Sequence, residues 1–190
     1  MSSFSQVHTW FLLCVCFFLV CEVIEVWHDH IVFCEAYAEL LSQFKTINSI
    51  PIPLDPKNNF SITLQELRRE IVGRGLSVLL LSNPCNPTGQ LIEGEELKNW
   101  VRIARETQCS LVLDEIYSRY IYTQRMSPTD ATWRMVSAAQ FVDDVNQDPV
   151  IILDGLTKCW RMPGLRICWI VAPKSATRQT CQHMSAFFCG

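Results

Sequence analysis

Lys158 follows the apolar run Val150–Leu153, and eight positions further on Arg166 interrupts a second apolar run, Leu165–Ala172. A lysine at a strand end beside a turn can point into a cleft. There, desolvation and neighbouring positive charge lower the pKa of its amine and make it a nucleophile toward aldehydes. An arginine on the next element offers a planar fork of donors suited to a phosphate. Alone, the pair also reads as a surface lysine and an unrelated arginine. Three more residues bear on the choice. Asn86 lies just past the apolar run Leu76–Leu81, Asp114 closes the run Ser110–Leu113, and Tyr117 follows it. Each has an ordinary role of its own: a turn residue before proline, a helix cap and a packing residue. Taken together with Lys158 and Arg166, they suit one small ring bearing an aldehyde and a phosphate, which describes pyridoxal 5'-phosphate (PLP).

The elements that must position these groups alternate. Leu76–Leu81, Ser110–Leu113 and Val150–Leu153 read as strands buried on both faces. Between the first two, residues from about Gly94 to Thr107 read as a helix whose inner face is Leu97, Trp100, Val101 and Ala104. Trp133–Val145 reads as another helix between the second and third. Upstream, Val23–Trp27 reads as a short strand and Phe33–Phe44 as an amphipathic helix. Ile50–Leu54 reads as an extended edge segment, because its prolines cannot donate to a central ladder. Thr63 and Glu66 form a capping box for a helix that runs to about Val72 and stops at Gly73 and Gly75. The expected fold class is α/β, a mostly parallel sheet with flanking helices. Ligands of such sheets bind beyond the carboxyl ends of the strands. Asn86, Asp114 and Lys158 all belong at that edge.

Asn86-Pro87-Thr88-Gly89, Asp114-x-x-Tyr117 and Lys158 with Arg166 resemble the motifs of class I/II aminotransferases, the PLP-dependent family of fold type I. The resemblance runs from about Val23 to Lys174. Residues 114–122 and 154–169 are also similar to a subgroup near 1-aminocyclopropane-1-carboxylate synthases and fungal secondary-metabolite aminotransferases. The resemblance implies an α/β/α large domain and movement of an amino group between an amino acid and a 2-oxo acid. It implies that Lys158 carries the PLP aldehyde and acts as general base and acid. Asp114 would pair with the pyridinium nitrogen, Asn86 and Tyr117 would hydrogen-bond the phenolic oxygen, and Arg166 would hold the phosphate. Phe33 would be the aromatic that stacks on the ring. A serine is expected three residues before the lysine; Gly155 stands there, with Thr157 the nearest hydroxyl. The resemblance places a glycine-rich phosphate-binding cup before the Val23 strand; the apolar run stands there, and no glycine precedes Gly73.

The same resemblance implies a homodimer, an incomplete large domain over residues 23–190, and a C-terminal small domain outside these residues. Two other readings remain. One is a PLP-dependent lyase or synthase on the same fold, such as a C–S lyase. The other is a non-catalytic remnant.

At 190 residues and a net charge of -3, the chain suits one domain or part of a larger one, with no basic patch for nucleic acid. Its ten cysteines include no C-x-x-C pair, which argues against a disulfide framework or a zinc site. His28-Asp29-His30 reads as a polar turn after a strand, so no metal is expected. Trp10–Cys21 is an uncharged apolar run, shorter than the roughly 20 residues of a membrane span. Met1–Thr9 holds no lysine or arginine, so the positive flank of a signal peptide is missing. Residues 1–22 therefore read as a buried segment, a signal or anchor core, or a start foreign to the fold. A cytoplasmic location is expected.

Overall fold

The computed structural model describes residues 30–33, 37, 41, 48–122, 135–165 and 167–176. Trp10–Cys21, the expected strand Val23–Trp27 and Arg166 lie outside them. Among the described residues, six strands form one sheet: β1 His30–Phe33, β2 Asn48–Pro51, β3 Val78–Ser82, β4 Ser110–Asp114, β5 Val150–Gly155 and β6 Cys168–Val171, in the order β2-β1-β3-β4-β5-β6. All neighbouring pairs are parallel except β5–β6. The proline-flanked segment is at an edge, as expected, because β2 needs to offer hydrogen bonds on one side only.

Helix α1, Leu64–Arg74, begins where the sequence signals it. The Glu66 N–H donates to Thr63 Oγ1 at 3.2 Å, and the Thr63 N–H donates to Glu66 Oε2 at 3.0 Å. The helix ends at Gly75, whose φ of 64° suits a residue without Cβ. Helix α2, Gly94–Thr107, buries Leu97, Trp100, Val101, Ile103 and Ala104. These pack with Leu67 and Ile71 of α1 against Leu79, Leu111, Leu113, Val150 and Ile152 of the sheet. The alternate strand residues Leu80, Val112, Ile151 and Leu153 are also buried. Burial on both faces is what an apolar parallel sheet requires. It explains why the three central strands read as continuous apolar runs rather than alternating ones.

Three sequence expectations are corrected. Phe33 does not open a helix; it ends β1, and His30 belongs to that strand rather than to a polar turn. Tyr37 and Leu41, further along that stretch, are buried and lie in helical turns. Nor is the stretch ending at Val145 an α-helix in its described part, Met135–Val145; it holds only a 3-10 turn, Ala138–Phe141. The cause lies in where the backbone donors go. Ser137 Oγ accepts from the Ala139 N–H, and Asp148 accepts from the N–H groups of Asp143 and Asp144. Side chains thus take the bonds that a helix would need. Asp148 is itself held by Arg105 of α2, at 2.5 and 2.8 Å, and that pairing keeps its carboxyl low, at about 2. No disulfide framework was expected; Cys168 is nonetheless disulfide-bonded, whereas Cys85, Cys109 and Cys159 are free.

Candidate active site

Register brings the site together. Ser82 at the end of β3 lies beside Asp114 at the end of β4, and Asp114 lies beside Leu153 of β5. The polar ends of three central strands therefore share one edge of the sheet, with Phe33 at the matching end of β1.

Asp114 is buried there. Its Oδ2 accepts from the Tyr37 hydroxyl at 2.9 Å and its Oδ1 from the Ile116 N–H at 3.1 Å. Burial pushes its carboxyl above the ordinary value; the two donors oppose that, and nearby Asp154 adds to it. Tyr117, half-buried, meets Tyr120 edge to face, with ring centroids 5.7 Å apart. Lys158 Nζ lies 5.8 Å from the centroid of the Tyr117 ring, so the amine and the phenol are neighbours. Thr157 is half-buried in the same turn as the lysine. Asn86 stands exposed on the loop between β3 and α2 and makes no hydrogen bond to Asp114, Tyr117 or Lys158.

The structure adds three residues that the sequence reading did not select. Asn83 is buried and pins the loop carrying Asn86. Its side chain donates to the Ile92 carbonyl at 2.8 Å and accepts from the Ile92 N–H at 2.9 Å. The doubled Asn-Pro of 83–87 was the available signal for it. Tyr37 had no such signal, because its partner is 77 positions away. Glu115 is 2% exposed, and its Oε1 accepts from the Ala138 N–H at 2.8 Å. Burial pushes it up to about 7, against hydrogen bonds from Ser137 and Ala138 that lower it. An acid directly after the strand-end aspartate was its only mark in the sequence.

Gly155 has a local reason. A Cβ there would come within 3.0 Å of the Ile167 carbonyl oxygen and 3.3 Å of Cys168 Cβ. Gly155→Ser is therefore expected to push β6 away and cost about 1–3 kcal/mol, read as a lower urea midpoint. An unchanged midpoint would show that β6 gives way freely.

Residues 20–190 match the family model for aminotransferase class I and II. The chain belongs to that family. It is 31% identical over 150 residues to a 1-aminocyclopropane-1-carboxylate synthase of Nicotiana tabacum, covering 74% of this chain and 29% of that one. It is 29% identical over 150 residues to an aspartate aminotransferase of Sulfurisphaera tokodaii, covering 76% of this chain and 33% of that one. The fold matches an aspartate aminotransferase of Thermus thermophilus with a TM-score of 0.70 at 22% identity, covering 88% of this chain and 42% of that one. The chain thus spans a third or less of the length of those two sequence relatives. Enzymes of the class I and II family depend on PLP. The residues present fit that group. A buried carboxylate suits a ring nitrogen, and two of its roughly four acceptor positions remain beyond Tyr37 and Ile116. A half-buried amine beside a phenol suits an aldehyde next to a ring hydroxyl.

Proposed function

We propose that residues 23–190 are part of the large, cofactor-holding domain of a PLP-dependent enzyme that moves an amino group between an amino acid and a 2-oxo acid. The observation that carries this reading is Lys158 Nζ beside the Tyr117 ring, with Asp114 buried at the end of the neighbouring strand. When bound, PLP supplies a ring that takes up the electron pair left when a bond at the substrate α-carbon breaks. Lys158 would hold the aldehyde carbon, then take the α-proton on Nζ and return it. Asp114 would keep a proton on the ring nitrogen. The Tyr117 hydroxyl and the Asn86 side chain would bind the phenolic oxygen, and Arg166 the phosphate. Thr157, the hydroxyl nearest to the position where a serine is expected, would assist at the phosphate, and Phe33 would stack on the ring. A homodimer is proposed with this reading, on the strength of the family resemblance.

Absorption spectroscopy of the purified chain with added PLP, followed by borohydride reduction and peptide mapping, tests the proposal. A visible band with the reduced adduct on Lys158, shifted by amino acids, is the expected result. Adducts scattered over exposed lysines would replace it with the remnant reading. The 31% identity to a 1-aminocyclopropane-1-carboxylate synthase favours one alternative, elimination chemistry on the same cofactor residues. Products decide between them. A 2-oxo acid formed without free ammonia, its amino group left on the cofactor, marks transfer; free ammonia released together with a 2-oxo acid and a thiol marks C–S elimination, and a cyclic amino acid with no ammonia marks the synthase.

A further inference from the structure

The turn after β4, residues 115–120, carries Tyr117, and the turn after β5, residues 156–161, carries Lys158. They belong to different strands, yet side chains bind them directly. The Cys159 thiol donates to the Ile116 carbonyl at 3.1 Å and accepts from the Arg119 N–H at 3.4 Å. The Arg119 guanidinium lies 4.4 Å above the Trp160 ring. The Tyr120 hydroxyl donates to the Lys158 carbonyl at 3.2 Å.

The bond to Ile116 has the largest consequence. Its N–H is held by Asp114 Oδ1, and its C=O, in the peptide unit leading into Tyr117, is held by Cys159. One residue is thereby fixed at both ends, between the buried acid and the neighbour of the lysine. Burial raises the pKa of the Cys159 thiol, against contacts with Arg119 and Ser118, which keeps the S–H present as a donor at neutral pH.

We propose that Cys159 is a positioning residue: its thiol ties the turn bearing Tyr117 to the turn bearing Lys158 and thereby sets the amine over the ring. Its bearing on catalysis rests on the function proposed above; the tie itself does not.

The test reads the amine without the cofactor. Lysines of the whole chain are dimethylated with 13C-formaldehyde and cyanoborohydride as the hydride donor, which preserves their charge, and observed by NMR. Lys158→Ala assigns the Lys158 signal. The Tyr117 ring current is expected to displace that signal upfield in the parent, and Tyr117→Leu should remove the displacement. Cys159→Ser, which still donates and accepts, should keep the displacement. Cys159→Ala should lose most of it. Cys159→Val, of similar volume but with no hydrogen bond, should do the same and serves if alanine prevents folding. Displacement unchanged in the alanine and valine variants would overturn the proposal. So would its loss in the serine variant, or its absence from the parent. Failure of the parent to take PLP on Lys158 would count against the proposed function and leave this result standing.

Discussion

Lys158→Ala should abolish the borohydride-fixed pyridoxyl group on its own peptide while leaving the background on other lysines unchanged. The expectation is all-or-none on that peptide, because the bond to the aldehyde is covalent and, among the described lysines, only Lys158 stands beside Tyr117. Lys57, Lys98 and Lys174 are exposed, and none of them stands over an aromatic ring. Lys158 is half-buried beside Tyr117 and follows a strand buried at nearly every position. Mass mapping of parent and variant reads the result directly. Equal labelling of the two proteins would remove Lys158 from the site and, with it, the functional proposal. Asp114→Ala, in contrast, should leave labelling at Lys158 intact, since in the proposed site the acid would hold the far side of the ring rather than the aldehyde.

Glu115→Gln should stabilise the chain at pH 8 and change it little at pH 5. Burial raises the folded-state carboxyl to about 7, from the ordinary 4.5. Between those values the folded chain keeps a proton that the unfolded chain has released. Stability from this group is therefore fully present below the unfolded value and is lost as pH rises through 7. Over the whole span the loss amounts to up to about 3 kcal/mol. Glutamine is neutral throughout and still offers an oxygen to the Ala138 N–H. Asp114 and Asp154 repel the Glu115 carboxylate and help to raise it, so glutamine also relieves that repulsion at pH 8, in the same direction. Urea unfolding of parent and variant at the two pH values is the check. A gain of equal size at both would show that charge on Glu115 is not the cause.

The parts of the fold legible in the sequence were those whose signal is local. The Thr63–Glu66 box, the stop at Gly75 and the apolar stripe of Gly94–Thr107 each state a backbone requirement within a few residues. The three central strands were legible because burial on both faces leaves an unbroken apolar run. The site was legible as far as strand ends place it, and the pairing of Lys158 with Tyr117 follows from that placement. What was hidden depends on distant partners. The helical pattern before Val145 is defeated by Asp148, whose carboxylate captures the N–H groups of Asp143 and Asp144. Tyr37 reads as one more apolar-face residue until the fold carries it to Asp114. Asn83 and Asn86 look alike in sequence; only the fold shows that Asn83 is buried and hydrogen-bonded to the Ile92 backbone while Asn86 is exposed.

The antiparallel pairing of β5 with β6 bears on the order of assembly. Gly155 pairs with Cys168 across a connection of twelve residues, whereas Leu79 must find Leu111, and Leu111 must find Val150, each more than thirty positions away. Loop-closure entropy rises with the logarithm of the intervening length, so the β5–β6 pair costs the least entropy to close among the described strand pairs. The hairpin it makes encloses Lys158. By this reckoning the turn bearing Lys158 takes shape from nearby contacts, and Asp114 and Tyr117 join it only when the distant parallel pairs have closed. During refolding, amide protection in β5 and β6 should precede recovery of labelling at Lys158, making cofactor capture a marker for the end of folding.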